Sequence, residues 1–147
     1  MKNDVGDISF AEKKKSKGGL ARLVNATRYT CAGLAAAFRH EHAFRQELFV
    51  FVPAAIFALI APIDALSKAA LLFPLPLILA FEMLNSAIEA VVDDISKEYR
   101  ELAKRAKDLG SAAVFCAMLA AAILWFGVIF HCAKQGCFDE WLAVFGN

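Results

Sequence analysis

The sequence predicts an all-α membrane protein in which three transmembrane helices follow an amphipathic helix lying on the membrane surface. Hydrophobic residues fill 59% of the 147 positions and the mean hydropathy is +0.52, too apolar for an ordinary small soluble domain. Three apolar stretches approach the roughly 20 helical residues needed to cross a hydrocarbon core of about 30 Å. A basic helical stripe precedes the first of them. The net charge of +1 conceals an asymmetry, because Lys13, Lys14, Lys15, Lys17, Arg22 and Arg28 crowd the front and "ELAKRAKD" forms a second basic cluster.

Taken in order, residues 1–17 read as a mobile basic extension around "KKKSK". They do not resemble a cleaved signal peptide, since no short apolar core with a small-residue cleavage site follows. From about 20 to 40, Leu20, Leu23, Val24, Cys31, Leu34, Ala35 and Phe38 fall on one stripe of a helix, with Arg22, Asn25, Arg28 and Arg39 largely off it. Such a helix lies on a leaflet whose anionic headgroups attract it. Its plain role is anchorage; a sharper one sets Arg22, Glu41 and Arg45 around a substrate headgroup.

The spans are expected at about 43–63, 65–92 and 107–130. Pro53 falls in the first, and Pro74 and Pro76 fall in the second, where membrane helices tolerate proline better than soluble ones do. The third, "LGSAAVFCAMLAAAILWFGVIF", carries no charge. The N-terminal segment and the stretch Asp93–Asp108 are basic, whereas "APIDALSK" holds one lysine, so the positive-inside rule puts the first two in the cytoplasm and the tail, 132–147, outside. Cys31 and Cys116 read as small apolar residues. Cys132 and Cys137 lie in that tail, where a disulfide persists if the compartment is oxidising.

Polar chemistry gathers in "FEMLNSAIEAVVDD". Glu82, Asn85, Glu89 and Asp93 are separated by three, four and four positions, which stacks them along one helix face over about 16 Å. A row of oxygen donors suits a hard cation such as Mg²⁺, which takes one or two carboxylates beside phosphate oxygens and waters. An acid near a span centre costs about 2.5–3.5 kcal/mol even on lenient insertion scales. The apolar run reaches right up to Glu82, which makes Glu82 and Glu89 poor decoration and Glu82 the carboxylate suited to accept a proton. Asp94, Glu98 and Glu101 are more simply solvated partners of the basic segment. No Walker-type phosphate loop and no protein-kinase signature set is present.

"EHAFRQE" at Glu41–Glu47, "EMLNSAIEAVVD" at Glu82–Asp93 and "EYRELAKRAKDLGSAAV" at Glu98–Val114 closely resemble the bacterial integral-membrane diacylglycerol kinases, in the right order and hydropathy. The likeness runs from about Gly19 to Phe130 and makes 18–131 a diacylglycerol kinase-like domain. It implies a homotrimer in the bacterial inner membrane that phosphorylates diacylglycerol with MgATP to give phosphatidic acid, at sites shared between subunits on the cytoplasmic side. By position it implies Glu82 as general base and Glu41 and Glu89 as the Mg²⁺ ligands. Arg22, Tyr29, Glu41, Glu89, Glu98, Lys107 and Asp108 match ATP contacts. Arg22, Glu47, Glu82, Ser111 and Trp125 match the lipid substrate's contacts, with Asn85 and Asp93 as supporting polar groups. Cys31, Pro74, Pro76 and the long tail after Phe130 depart from the family pattern and bear on packing and lipid fit.

An undecaprenol kinase of the same fold is the runner-up. An ion or proton carrier is less consistent, because the first and third spans contain no acid between Leu48 and Ile63 or between Leu109 and Phe130. A structural trimer without activity leaves the carboxylates an unexplained cost.

Overall fold

A computed structural model describes residues 19–95 and 98–139, together with residue 143. The basic N-terminal extension and, in the tail, residues 140–142 and 144–147 lie outside the described residues. The chain divides into two compact units, one ending at His40 and the other beginning at Glu41. The described part of the first is a single helix, α1 (Gly19–His40). Its Thr27 and Thr30 hydroxyls donate to the carbonyls of Leu23 and Ala26 one turn back, at 3.1 and 3.0 Å. Each threonine thereby satisfies its polar group inside the helix.

The second unit contains α2 (His42–Ile60), α3 (Ala65–Leu72), α4 (Pro74–Ile95) and α5 (Glu101–Lys134). No strand occurs among the described residues. Three segments are long and apolar enough to cross a membrane: α2, α3 with α4, and α5. Much of their apolar surface points outward, including Phe49, Phe115, Ile123 and Phe126, each more than 60% exposed. Only 11% of the most apolar stretch of α5 is buried. A water-soluble fold does not leave so continuous an apolar surface uncovered, whereas lipid or neighbouring helices cover it at no cost.

The second span is two helices rather than one, and the break falls at Phe73. Proline has no N–H, so Pro74 and Pro76 withdraw donors from the carbonyls one turn earlier, and Pro74 starts α4 at the position where a missing N–H does least harm. Trp125 of α5 compensates nearby by donating its indole N–H to the Leu71 carbonyl at 2.9 Å. The stretch Asp93–Asp108 also differs from an open loop. Helix α4 runs on to Ile95 and α5 starts at Glu101, so Lys104, Lys107 and Asp108 hold fixed helical positions.

Helix α5 packs chiefly along α4, and α3 fits between the end of α2 and the far half of α5. There Ala58, Ala61, Ile63, Leu71 and Cys132 form a buried cluster, flanked by Phe57, Trp125, Val128 and Ile129. The link above it is fixed by Asp64, which caps α3 by accepting from the backbone N–H groups of Leu66 and Ser67 at 2.9 and 3.0 Å and from the Ser67 hydroxyl at 2.5 Å. Lys68 closes the end of α2 by donating to the Leu59 carbonyl at 2.7 Å.

The Ser67 hydroxyl, with the Ser67 and Leu66 amides, holds the Asp64 carboxyl below the usual aspartate range. A carboxylate favoured in the folded state contributes its stability above the ordinary aspartate pKa and loses it as pH falls through the depressed value. The gap in melting temperature between the parent and Asp64→Ala, measured in detergent, is therefore full at neutral pH and closes in acid. A gap that stays constant into acid would remove this cap from the account.

Candidate active site

Glu82, Asn85, Glu89 and Asp93, on one face of α4, form a gradient of burial along the helix. Glu82 and Asn85 are buried, Glu89 is half-buried and Asp93 is exposed. The Asn85 side-chain amide donates to Glu89 at 3.1 Å, which ties two successive turns of this face together. Burial of Asn85 depends on Gly110 of α5. A β-carbon at that position would overlap the Asn85 side-chain oxygen, so the amide lies where it does only because residue 110 has no side chain.

Across from this face stands Glu47 of α2, 6% exposed. With Glu82 it lines a cavity of about 330 Å³ closed by Ala43, Val50, Phe51 and Met118. Glu41 and Glu89 lie near enough to act electrostatically on Glu82. Glu47 and Glu82 thus share one cavity between α2 and α4, with Glu41, the residue that precedes α2, and Glu89 close enough to add their charge. Glu47 Oε2 and Asn85 Oδ1 are buried with no hydrogen-bond partner among the described residues. Such groups cost free energy until a donor or cation meets them.

Two further spaces lie along the bundle. An apolar groove of about 400 Å³ runs between α2, α4 and α5 past Leu75, Ile78 and Ala121 to Trp125, and it shares Val50, Phe51 and Met118 with the carboxylate cavity. Beyond Asp93, a charged cleft of about 360 Å³ is lined by Glu98, Tyr99, Arg100, Lys104, Lys107 and Asp108. Inside it Lys107 donates to Asp93 at 2.6 Å, joining α5 to α4, and Lys104 pairs with Asp108 at 2.5 Å. These pairs are substantially exposed, and in that setting they stabilise the fold by no more than about 1 kcal/mol each. Their ammonium groups can exchange partners when an anion arrives.

No ready-made group of three or more His, Cys, Asp or Glu ligands occurs among the described residues. Mg²⁺ is usually bound by one or two carboxylates together with phosphate oxygens and waters. Of the remaining candidates, Ser111 is exposed on α5 one residue past Gly110, and Trp125 stands at the distant end of the apolar groove. Arg22 and Tyr29 are two turns apart on α1, in the other compact unit. Sequence reasoning assigned no role to Gly110. A glycine within an otherwise alanine-rich apolar helix is a legible sign of close approach, but its partner on α4 is not.

The model of the family described as prokaryotic diacylglycerol kinase matches residues 28–129. The chain belongs to that family. Among curated relatives, the diacylglycerol kinase of Escherichia coli strain K12 is 46% identical over 107 residues, covering 73% of this chain and 88% of its own length. Diacylglycerol kinases of Haemophilus influenzae and Pseudomonas aeruginosa are 42% and 43% identical, each over 76% of this chain and over 95% and 90% of their own lengths. As a prokaryotic diacylglycerol kinase family member, the chain is an enzyme of the kinase class, and its three membrane-length helices make it a bacterial membrane protein. All of the carboxylates named above lie within the matched range; Arg22, Cys132 and Cys137 lie outside it.

Proposed function

We propose that the protein transfers the γ-phosphoryl group of ATP to the free hydroxyl of diacylglycerol, giving phosphatidic acid at the cytoplasmic interface of the inner membrane. The observation that carries this reading is the position of Glu82, at the junction of the apolar groove and the polar end of the bundle. A lipid whose chains lie along the groove from Trp125 presents its headgroup between Glu47 and Glu82. A nucleotide in the cleft of Glu98, Lys107 and Asp108 approaches from the water side. Neither substrate leaves its own phase.

Phosphoryl transfer is catalysed by positioning, by neutralising phosphate charge and by a group that receives the attacking hydroxyl's proton. Glu82 takes that proton. Glu41 and Glu89 would hold the metal, and bound Mg²⁺ supplies charge neutralisation on the phosphate oxygens. Asn85 aims Glu89 through its hydrogen bond. Lys107, released from Asp93, turns to the phosphates, while Arg22, Tyr29, Glu98 and Asp108 complete the nucleotide contacts. Glu47 and Ser111 orient the lipid headgroup. In the proposed homotrimer, with the N-terminus cytoplasmic, α1 lies on the inner leaflet and neighbouring subunits complete each site.

That the relatives are diacylglycerol kinases favours diacylglycerol over undecaprenol as acceptor. Presenting both lipids in one micellar ATP assay tests the choice: diacylglycerol turns over faster, and faster turnover of undecaprenol overturns it. Glu89→Gln keeps the Asn85 contact sterically possible but removes a metal-binding charge. It raises the Mg²⁺ concentration needed for half-maximal activity about tenfold or more, the scale expected of a lost ligand or its support. An unchanged Mg²⁺ titration would take Glu89 out of the metal role.

A further inference from the structure

We propose that Cys132 and Cys137 close a disulfide across the turn that ends α5, on the side of the membrane opposite the proposed active site. The turn itself brings them together. Gly136 has a positive φ of 69°, its N–H donates to the Ala133 carbonyl at 3.2 Å, and the Cys137 N–H donates to the Cys132 carbonyl at 3.1 Å. This pair of bonds is the Schellman ending of a helix, in which the side chains of the two residues that close the wider, six-residue loop frequently make an apolar contact. Here both of those residues are cysteine.

The backbone hydrogen bond of 3.1 Å between them brings their backbones together, as a disulfide requires, whose α-carbons stand about 4.4–6.8 Å apart. Cys137 also packs on the buried cluster to which Cys132 belongs. Cys31 and Cys116 have no such companion: each is exposed on a helix, α1 and α5 respectively.

Exposure sets the order of events. Cys132 is 1% exposed, whereas Cys137 is half-buried. The Cys137 thiolate attacks the disulfide of an extracytoplasmic thiol–disulfide oxidoreductase, forming a mixed disulfide and releasing one donor thiolate. The Cys132 thiolate then attacks the Cys137 sulfur and expels the second donor thiolate. Two protein thiols lose two protons and two electrons, and one donor disulfide becomes two thiols. Cys132 never has to meet the donor.

The closed ring clamps the last turn of α5 onto the Ala58–Leu71 cluster. It lies about 36 Å along the helix from Asp108, taking 1.5 Å per residue, so kinase turnover is insensitive to it. The inference rests on the orientation proposed above, with the C-terminal end outside the cytoplasm.

The test is a thiol count. Cells are quenched in acid, and the full chain is denatured and labelled with a maleimide before and after reduction. Two maleimides per chain are expected before reduction and four after, with peptide mapping assigning the blocked pair to Cys132 and Cys137. In parallel, an Ala65→Cys chain whose four native cysteines are replaced by serine is probed in intact cells with an impermeant maleimide. Labelling at position 65 together with four free native thiols overturns the disulfide and leaves the orientation standing. No labelling at position 65 overturns the orientation, and the disulfide with it. A blocked pair that maps to other cysteines also overturns the proposal.

Discussion

Glu82→Gln is expected to lower kinase turnover by about 10²–10⁴-fold, the usual scale for loss of a positioned general base, while the protein still inserts and assembles. Glutamine preserves the size of a side chain that is 7% exposed, and it preserves hydrogen-bonding capacity towards the lipid hydroxyl. What it removes is the ability to take that hydroxyl's proton. The fall should therefore appear in kcat, with the KM for diacylglycerol little changed, when ADP release is followed in mixed micelles. Glu47→Gln provides the contrast on the other wall of the same cavity: there the KM for the lipid rises and kcat falls less. A Glu82→Gln enzyme of near-normal kcat would exclude Glu82 as the base.

The second large effect is expected at a residue with no chemistry of its own. Gly110→Ala adds one methyl group where the Asn85 side-chain oxygen already stands. Asn85 is buried and hydrogen-bonded to Glu89, so its amide can yield only by breaking that bond or by spreading α4 from α5. Overpacking of this kind costs about 1–3 kcal/mol, and the loss falls on the geometry of Glu89 as well as on stability. Activity should drop at least tenfold, with a raised Mg²⁺ requirement resembling that of Glu89→Gln. The double variant Asn85→Ala, Gly110→Ala removes the overlap and should be no worse than Asn85→Ala alone, a non-additivity that contact between the two positions demands. Independent, additive losses would mean that the helices do not meet there.

Periodicity made part of this arrangement readable in advance. The intervals between Glu82, Asn85, Glu89 and Asp93 specify a common face whatever the helix packs against, because helical geometry alone determines it. The unbroken apolar run before Glu82 likewise implied that the first members of the series are the buried ones. Glu47 was different. Within "EHAFRQE" nothing local separates it from Glu41, and its burial against Glu82 follows from how α2 crosses α4, a relation between distant segments. The same limit applied to Lys107 and Asp93, 14 residues apart, whose pairing depends on the register of two helices. Pro74 and Pro76 marked the weak point in the second span, and the break falls at Phe73 just before them, but the Trp125 indole that meets the Leu71 carbonyl beside it comes from α5, 54 residues on.

Helix α5 runs unbroken for 34 residues, about 51 Å at 1.5 Å per residue, against a hydrocarbon layer of about 30 Å. The excess length projects its charged first turns into water while Trp125 stays deep among apolar neighbours. Nucleotide and lipid would then be gripped by opposite parts of a single stiff rod. The gap across which the phosphoryl group travels is gauged by a continuous ladder of backbone hydrogen bonds, and no loop has to be ordered to set it.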